Sequence, residues 1–280
     1  MKPRIPNLLL GALITASLLA PRLLHAQASE IPSAQAAPLT GQEQDKRGRV
    51  LLDQMVAALG GNTWLNRASY LKEGHTASFF RGAPTLNVVP FWEYHRFAST
   101  GSPAAERIEF SKKRDIVQIW AGDNGYEITF KGNKPLPEDQ VQDTLRRRDH
   151  SVEAVISTWL KEPGIVVLYE GTTMVERRMA DKVTLLGESN DAVTLELDAA
   201  SHLPLRRTFQ TRNRQFKDYD EDSEEYSDYH EIQGIQTPMT ISRYHNGDLS
   251  NERFFTKVEY NVPVTDQMFD TTQSLKNKKK

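Results

Sequence analysis

Between Tyr226 and Phe269 the chain reads YSDYHEIQGIQTPMTISRYHNGDLSNERFFTKVEYNVPVTDQMF. Short runs rich in Ile, Thr, Tyr, Phe and Val are broken at Gln233-Gly234, Thr237-Pro238 and Asn246-Gly247, the pattern of an antiparallel meander. Asn-Gly tolerates positive φ at both positions and suits a two-residue hairpin. Met239–Tyr244 is therefore expected to fold back on Arg253–Tyr260. In the second strand strict alternation puts Phe254, Thr256, Val258 and Tyr260 on one face, with Phe255, Lys257, Glu259 and Asn261 on the other. A sheet with one dry and one wet face follows.

Upstream, the same grammar predicts strands over 70–80, 87–97, 105–110, 115–120 and 126–130, the last two joined through Asp123-Asn124-Gly125. Pro90 marks its strand as an edge or as bulged there. Further strands are expected over 165–170, 174–186, 192–198 and 205–210. Helical spacing occurs in two places only. Val50, Leu51, Met55, Ala58 and Leu59 share a face between Gly48 and the capping pair Gly60-Gly61. Pro137–Leu160 reads as two helices or one broken helix, opened by Pro137 with Glu138 and Asp139, capped again by Ser151, and ended at Glu162-Pro163-Gly164. Strands and helices do not alternate regularly and no unit repeats, which argues against parallel α/β folds and solenoids. The expectation is a mainly β (α+β) domain over 47–272: one curved antiparallel sheet, a half-open β-barrel of about ten or eleven strands, with helices on its concave face.

Residues 1–28 have the form of an export signal: Lys2 and Arg4, an apolar run from Leu8 to Ala20, and Ala26-Gln27-Ala28 as a small-x-small cleavage site. Cleavage near Ala28 implies a periplasmic protein. Residues 29–46 read as a flexible lead-in and 273–280 as a basic disordered tail. There is no cysteine, so neither disulfides nor a cysteine-anchored lipoprotein is possible. Without the signal, 32 Lys and Arg face 37 Asp and Glu, a net of −5. That balance argues against nucleic acid as a partner, and no later stretch is apolar enough to span a bilayer.

Catalytic and cofactor signatures are not found. His230-Glu231 lacks the second histidine of a zinc-hydrolase motif. Asp218, Asp220 and Asp222 resemble the start of a calcium loop, but Ser223 and Tyr229 stand where Gly and Glu are needed, so the run reads as a solvated acidic turn. No nucleophile elbow, phosphate loop or dinucleotide fingerprint is present. The expectation is a protein that is not an enzyme and has no metal and no cofactor. The aromatic residues fit either a filled core or an apolar pocket between sheet and helices. For the pocket the candidate ligand-binding residues are Phe91, Trp92, Trp120, Ile156 and Trp159.

Several segments together carry a family resemblance: Ala58-Leu59-Gly60-Gly61, Val193–Asp198, His202–Arg206, Ser227-Asp228-Tyr229, Gly234–Pro238, and Val258–Pro263 with Phe269. They resemble the outer-membrane lipoprotein-sorting, LolA/LolB-like family of bacterial envelope proteins. The resemblance implies an incomplete barrel with a helical lid over an apolar cavity that holds lipid acyl chains or lipidated proteins. It leaves a second possibility open, an interaction module that binds envelope proteins through a sheet edge.

Overall fold

The computed structural model describes residues 39–187, 191–213 and 218–273. The predicted signal and most of the lead-in and basic tail lie outside these residues.

Thirteen strands form one antiparallel sheet. They are β1 (Ser69–Phe80), β2 (Ala83–Arg96), β3 (Ala105–Phe110), β4 (Ile116–Ala121), β5 (Asn124–Thr129), β6 (Gly132–Pro135), β7 (Val166–Val175), β8 (Arg178–Leu186), β9 (Ala192–Asp198), β10 (Pro204–Arg212), β11 (Tyr219–Ile232), β12 (Ile235–His245) and β13 (Asp248–Tyr260). The spatial order is β6-β5-β4-β3-β2-β1-β13-β12-β11-β10-β9-β8-β7. Two meanders, β1–β6 and β7–β13, thus meet where β1 pairs with β13, and the sheet is open at β6 and β7. Among the described residues four α-helices accompany it: α1 (Gly41–Leu59), α2 (Asn62–Leu65), α3 (Glu138–Asp149) and α4 (Val152–Ser157).

The strand count exceeds the expected ten or eleven for two reasons. The short β6 carries no apolar alternation. The acidic run expected as a turn is instead the start of β11, and Asp222 and Glu224 are buried on it. The Asn246-Gly247 hairpin forms as expected, with φ of 51° and 82°. Its register pairs His245 with Asp248 and Thr240 with Phe254. The next hairpin signal misplaces its turn: Ala121 pairs with Asn124, so Gly122-Asp123 makes the bend. Pro90 lies in an interior strand, but β3 pairing begins only at Phe91, opposite Phe110. Pro90 therefore sits where its missing N–H has no strand to meet.

The alternation expected for β13 breaks at a bulge. Glu73 pairs with Lys257 and Gly74 with Phe255, leaving Thr256 as the extra residue. Phe255, Val258 and Tyr260 consequently share the buried face, while Phe254 is exposed.

Helix α1 begins at Gly41, seven residues before the predicted start, which removes 41–46 from the lead-in. Thr40 and Glu43 form a reciprocal capping box. The helix packs Leu51, Leu52, Met55 and Leu59 into a core shared with Val167, Val183, Leu195, Ile235 and Val258. Helix α4 adds Val152 and Val155 to the same core, and its predicted cap Ser151 accepts from Ala154 N at 3.1 Å. Helix α3 differs from both, because none of its residues is buried.

Candidate functional site

Between the sheet and helices α3 and α4 lies a cavity of about 690 Å3. Strands β1–β4 and β11–β13 form its wall, the end of α1 and Trp64 of α2 close one side, and α3 and α4 lie across it. Apolar lining comes from Leu59, Trp64, Phe97, Ile108, Trp120 and Phe255. The volume falls within the roughly 300–1,000 Å3 typical of sites that enclose one small ligand.

The lining also carries many charged residues, which the expected apolar cavity did not include. Glu93 on β2 accepts from Tyr70 Oη at 2.6 Å and from Arg253 Nη1 at 2.6 Å. Burial alone would raise the Glu93 carboxyl; Arg253 and Lys72 outweigh it, and its pKa is lowered to about 2. Glu224 on β11 accepts from Arg207 at 2.9 Å, Arg243 at 2.7 Å and Tyr226 at 3.0 Å. Burial opposes its ionisation, but Arg207 and Arg243 hold its pKa far below the usual carboxylate range. On the helical side Arg67 joins Glu153 at 2.8 Å and also donates to the Trp64 carbonyl. His95 lies 3.5 Å from Glu106.

Lys72 is different. It projects from β1 into the cavity, with Nζ 4.4 Å from the Tyr70 ring centre and 5.1 Å from that of Phe255. Among the described residues no carboxylate lies within ion-pair distance of it. The side chain is deep in the protein yet only half-buried, because it borders the cavity. Desolvation lowers its pKa, with Glu93 and Glu153 opposing and Arg67 and Arg253 reinforcing that shift.

Of the five residues expected to bind ligand, Trp120 lines the cavity. Gly125 makes room for it: a Cβ there would lie 2.7 Å from the Trp120 ring. Phe91 is fully buried in the core, edge-to-face with Phe255. Trp159 is also core, with Nε1 donating to the Asp149 carbonyl at 2.7 Å, and Ile156 packs against the same cluster. Trp92 occupies the opposite face of the sheet, donating to Glu73 at 3.0 Å beneath the Arg114 guanidinium. The residues that were missed, Tyr70, Lys72, Glu93, Glu224, Arg243 and Arg253, carry a signal in retrospect. Tyr70 and Lys72, Glu93 and His95, Glu224 and Tyr226, and Arg253 and Phe255 are charged or polar-aromatic pairs two residues apart, on the same strand face as the core.

A second hollow, on the other face of β7–β11, is lined by residues that include the pairs Glu170–Lys182 and Glu196–Arg206. Among the described residues no three His, Asp or Glu side chains converge as a metal site. No described helix is long and apolar enough to cross a membrane.

The architecture has solved counterparts. A DUF1329 family protein from Desulfovibrio piger superposes with a TM-score of 0.57 at 14% identity, covering 82% of this chain and 99% of that one. This chain shares its fold with two solved LolA-type proteins. A protein described as an outer membrane lipoprotein-sorting domain from Vibrio parahaemolyticus gives 0.52 at 9% identity, over 81% and 97% of the two chains. A LolA superfamily protein from Nitrosomonas europaea gives 0.51 at 9% identity, over 80% and 97%. At such identities the likeness defines the fold alone. No family model matches the chain, and no curated protein matches it in sequence.

Proposed function

We propose that this LolA-like protein is a periplasmic carrier that encloses the acyl chain of an amphiphilic ligand between its sheet and helices α3 and α4. The observation that carries this reading is the cavity of about 690 Å3 bordered by Trp64, Phe97, Trp120 and Phe255. Covering an acyl chain there gains about 25 cal/mol per Å2 of apolar surface removed from water. The role is binding rather than catalysis, and the partners are lipids or lipidated proteins.

Helix α3 serves as the lid. It buries no residue, and its contacts to the rest of the fold include Arg148 with Asp123 at 2.7 Å, Arg147 with Asp222 at 3.7 Å and the Asp149 carbonyl accepting from Trp159 Nε1 at 2.7 Å. The exposed Arg148–Asp123 pair contributes about 0–1 kcal/mol, and no α3 residue is buried, so the helix can lift without exposing core. The cavity's size favours a single-chain amphiphile over a multiply acylated anchor. An envelope interaction module working through a sheet edge would need no open interior, so the unfilled volume supports the carrier.

The test is native mass spectrometry of protein purified from the periplasm, with titration of a fluorescent fatty acid. One equivalent of lipid is expected. Ala154→Trp, which projects from α4 into the cavity, is expected to abolish uptake with an unchanged far-ultraviolet circular dichroism spectrum. Absence of both copurifying lipid and uptake would reject the carrier reading.

A further inference from the structure

Resting on the carrier reading, we propose that the ligand is an anionic amphiphile whose carboxylate or phosphate pairs with Lys72 inside the cavity. The argument is one of charge balance. Four of the five carboxylates that line the cavity pair with an arginine: Glu93 with Arg253, Glu224 with Arg243, Glu153 with Arg67 and Asp149 with Arg148, while the fifth, Glu106, lies 3.5 Å from His95. The arginines are committed in the same pairs, and Arg147 reaches Asp143 and Asp222. Among the described lining residues Lys72 is left as the one cation without a carboxylate within 4.0 Å.

A half-buried ammonium with no carboxylate in contact is costly, and a fold that needed only stability would do better with an apolar residue. The two aromatic faces beside it, Tyr70 and Phe255, offset part of that cost. They leave the donors of Nζ directed at the cavity, where an anion would complete them. The same rings continue into the apolar wall at Trp64 and Phe97, which gives an alkyl chain a surface next to its head group. A neutral or cationic amphiphile would leave Lys72 without a direct ion-pair partner, so the cavity discriminates by charge at a point flanked by apolar side chains.

The test is competition for the cavity. Full-length protein, stripped of lipid on a hydrophobic resin, is loaded with the neutral probe N-phenyl-1-naphthylamine. Hexadecanoic acid, hexadecyl phosphate and hexadecanol then displace it. The acid or the phosphate is expected to displace at about tenfold lower concentration than the alcohol or better, as a hydrogen bond between charged groups implies. The tighter of the two distinguishes a free fatty acid from a lipid phosphate. Lys72→Met is expected to bring acid, phosphate and alcohol to equal potency and not to lower the unfolding midpoint; Lys72→Arg keeps the preference. If the probe does not bind and no chain is taken up, the carrier reading itself fails. If all three compete equally in the wild type, the carrier stands and the anionic head group is rejected. A preference that survives Lys72→Met, or a lowered midpoint in both Lys72→Met and Lys72→Gln, assigns Lys72 no role in recognition and overturns the proposal.

Discussion

Arg253 Nη1 donates to Glu93 Oε2 at 2.6 Å across the intervening strand β1, tying β13 to β2 in the cavity wall. It does so where the two meanders meet, so the pair braces the junction of the sheet's halves. Both side chains are largely out of water, and each would be an uncompensated charge without the other. Removal of one partner of such a pair costs about 3–5 kcal/mol. Glu93→Gln is therefore expected to lower stability to urea at pH 7 by that amount. The pH dependence has a definite sign. The carboxyl falls from 4.5 to about 2 on folding, so its contribution is fully present above pH 4.5 and is lost as pH falls toward 2. That contribution is on the order of 3 kcal/mol, and the variant should lack this part of the acid slope.

Glu224 presents an asymmetric case. It serves Arg207 and Arg243 at once, with Tyr226 as a third donor. Glu224→Gln strands two cations and is expected to cost about 3–5 kcal/mol. Arg207→Met leaves Glu224 with Arg243 and Tyr226, and it removes an Nε and an Nη1 that have no hydrogen-bond partner. Its expected cost is at most about 1 kcal/mol. Denaturation of the two variants in parallel checks the ordering; equal losses would show that Arg207 matters as much as its acceptor.

How far the sequence could be read divides along the same residues. The β-class, the helical pair after Pro137, the cap at Ser151 and the Asn246-Gly247 hairpin are local signals, and each is where alternation or cap chemistry puts it. The start of α1 was equally local, since Thr40 and Glu43 spell a capping box, but the surrounding Ala, Pro and Gln composition masked it. The misreadings have a common cause. A bulge such as Thr256 depends on the partner strand, which local periodicity does not contain. The acidic start of β11 reads as solvated because Asp222 and Glu224 gain their cations from Arg147, Arg207 and Arg243, all distant in sequence. Aromatic size does not separate core from cavity: Phe91 and Trp159 pack in the core, whereas Trp120 lines the cavity beside charged residues whose partners are distant in sequence.

The lid assignment for α3 predicts uneven hydrogen exchange. Opening free energy follows the buried apolar contacts of a segment. Helix α3 has none of its residues buried, while α1 buries Gly48, Leu51, Leu52, Met55 and Leu59. Amides of α3 should exchange at least roughly tenfold faster than those of α1, and faster still at high salt, which screens Arg148–Asp123. Bound fatty acid should slow α3 selectively. Equal protection in α1 and α3 would mean that the cavity opens elsewhere.

Gly74 supports the site from a distance and gives the most local prediction. The bulge at Thr256 brings the β13 backbone so close that a Cβ on residue 74 would lie 2.0 Å from the Phe254 carbonyl oxygen and 2.9 Å from its carbon. The obstruction is backbone, which cannot swing aside as a side chain does. Gly74→Ala must therefore push β13 off its register with β1, at a cost of about 2–3 kcal/mol. Gly41, the first residue of α1, is a matched control with nothing within 4 Å of its would-be Cβ. Gly41→Ala is expected to be neutral or to stabilise by up to about 1 kcal/mol. The consequence extends to the cavity, because the bulge is what turns Phe255 inward beside Lys72. Gly74→Ala should weaken N-phenyl-1-naphthylamine binding at temperatures where the variant is still folded, while Gly41→Ala should not. A Gly74→Ala protein with wild-type stability and wild-type probe affinity would show that the bulge does not shape the site.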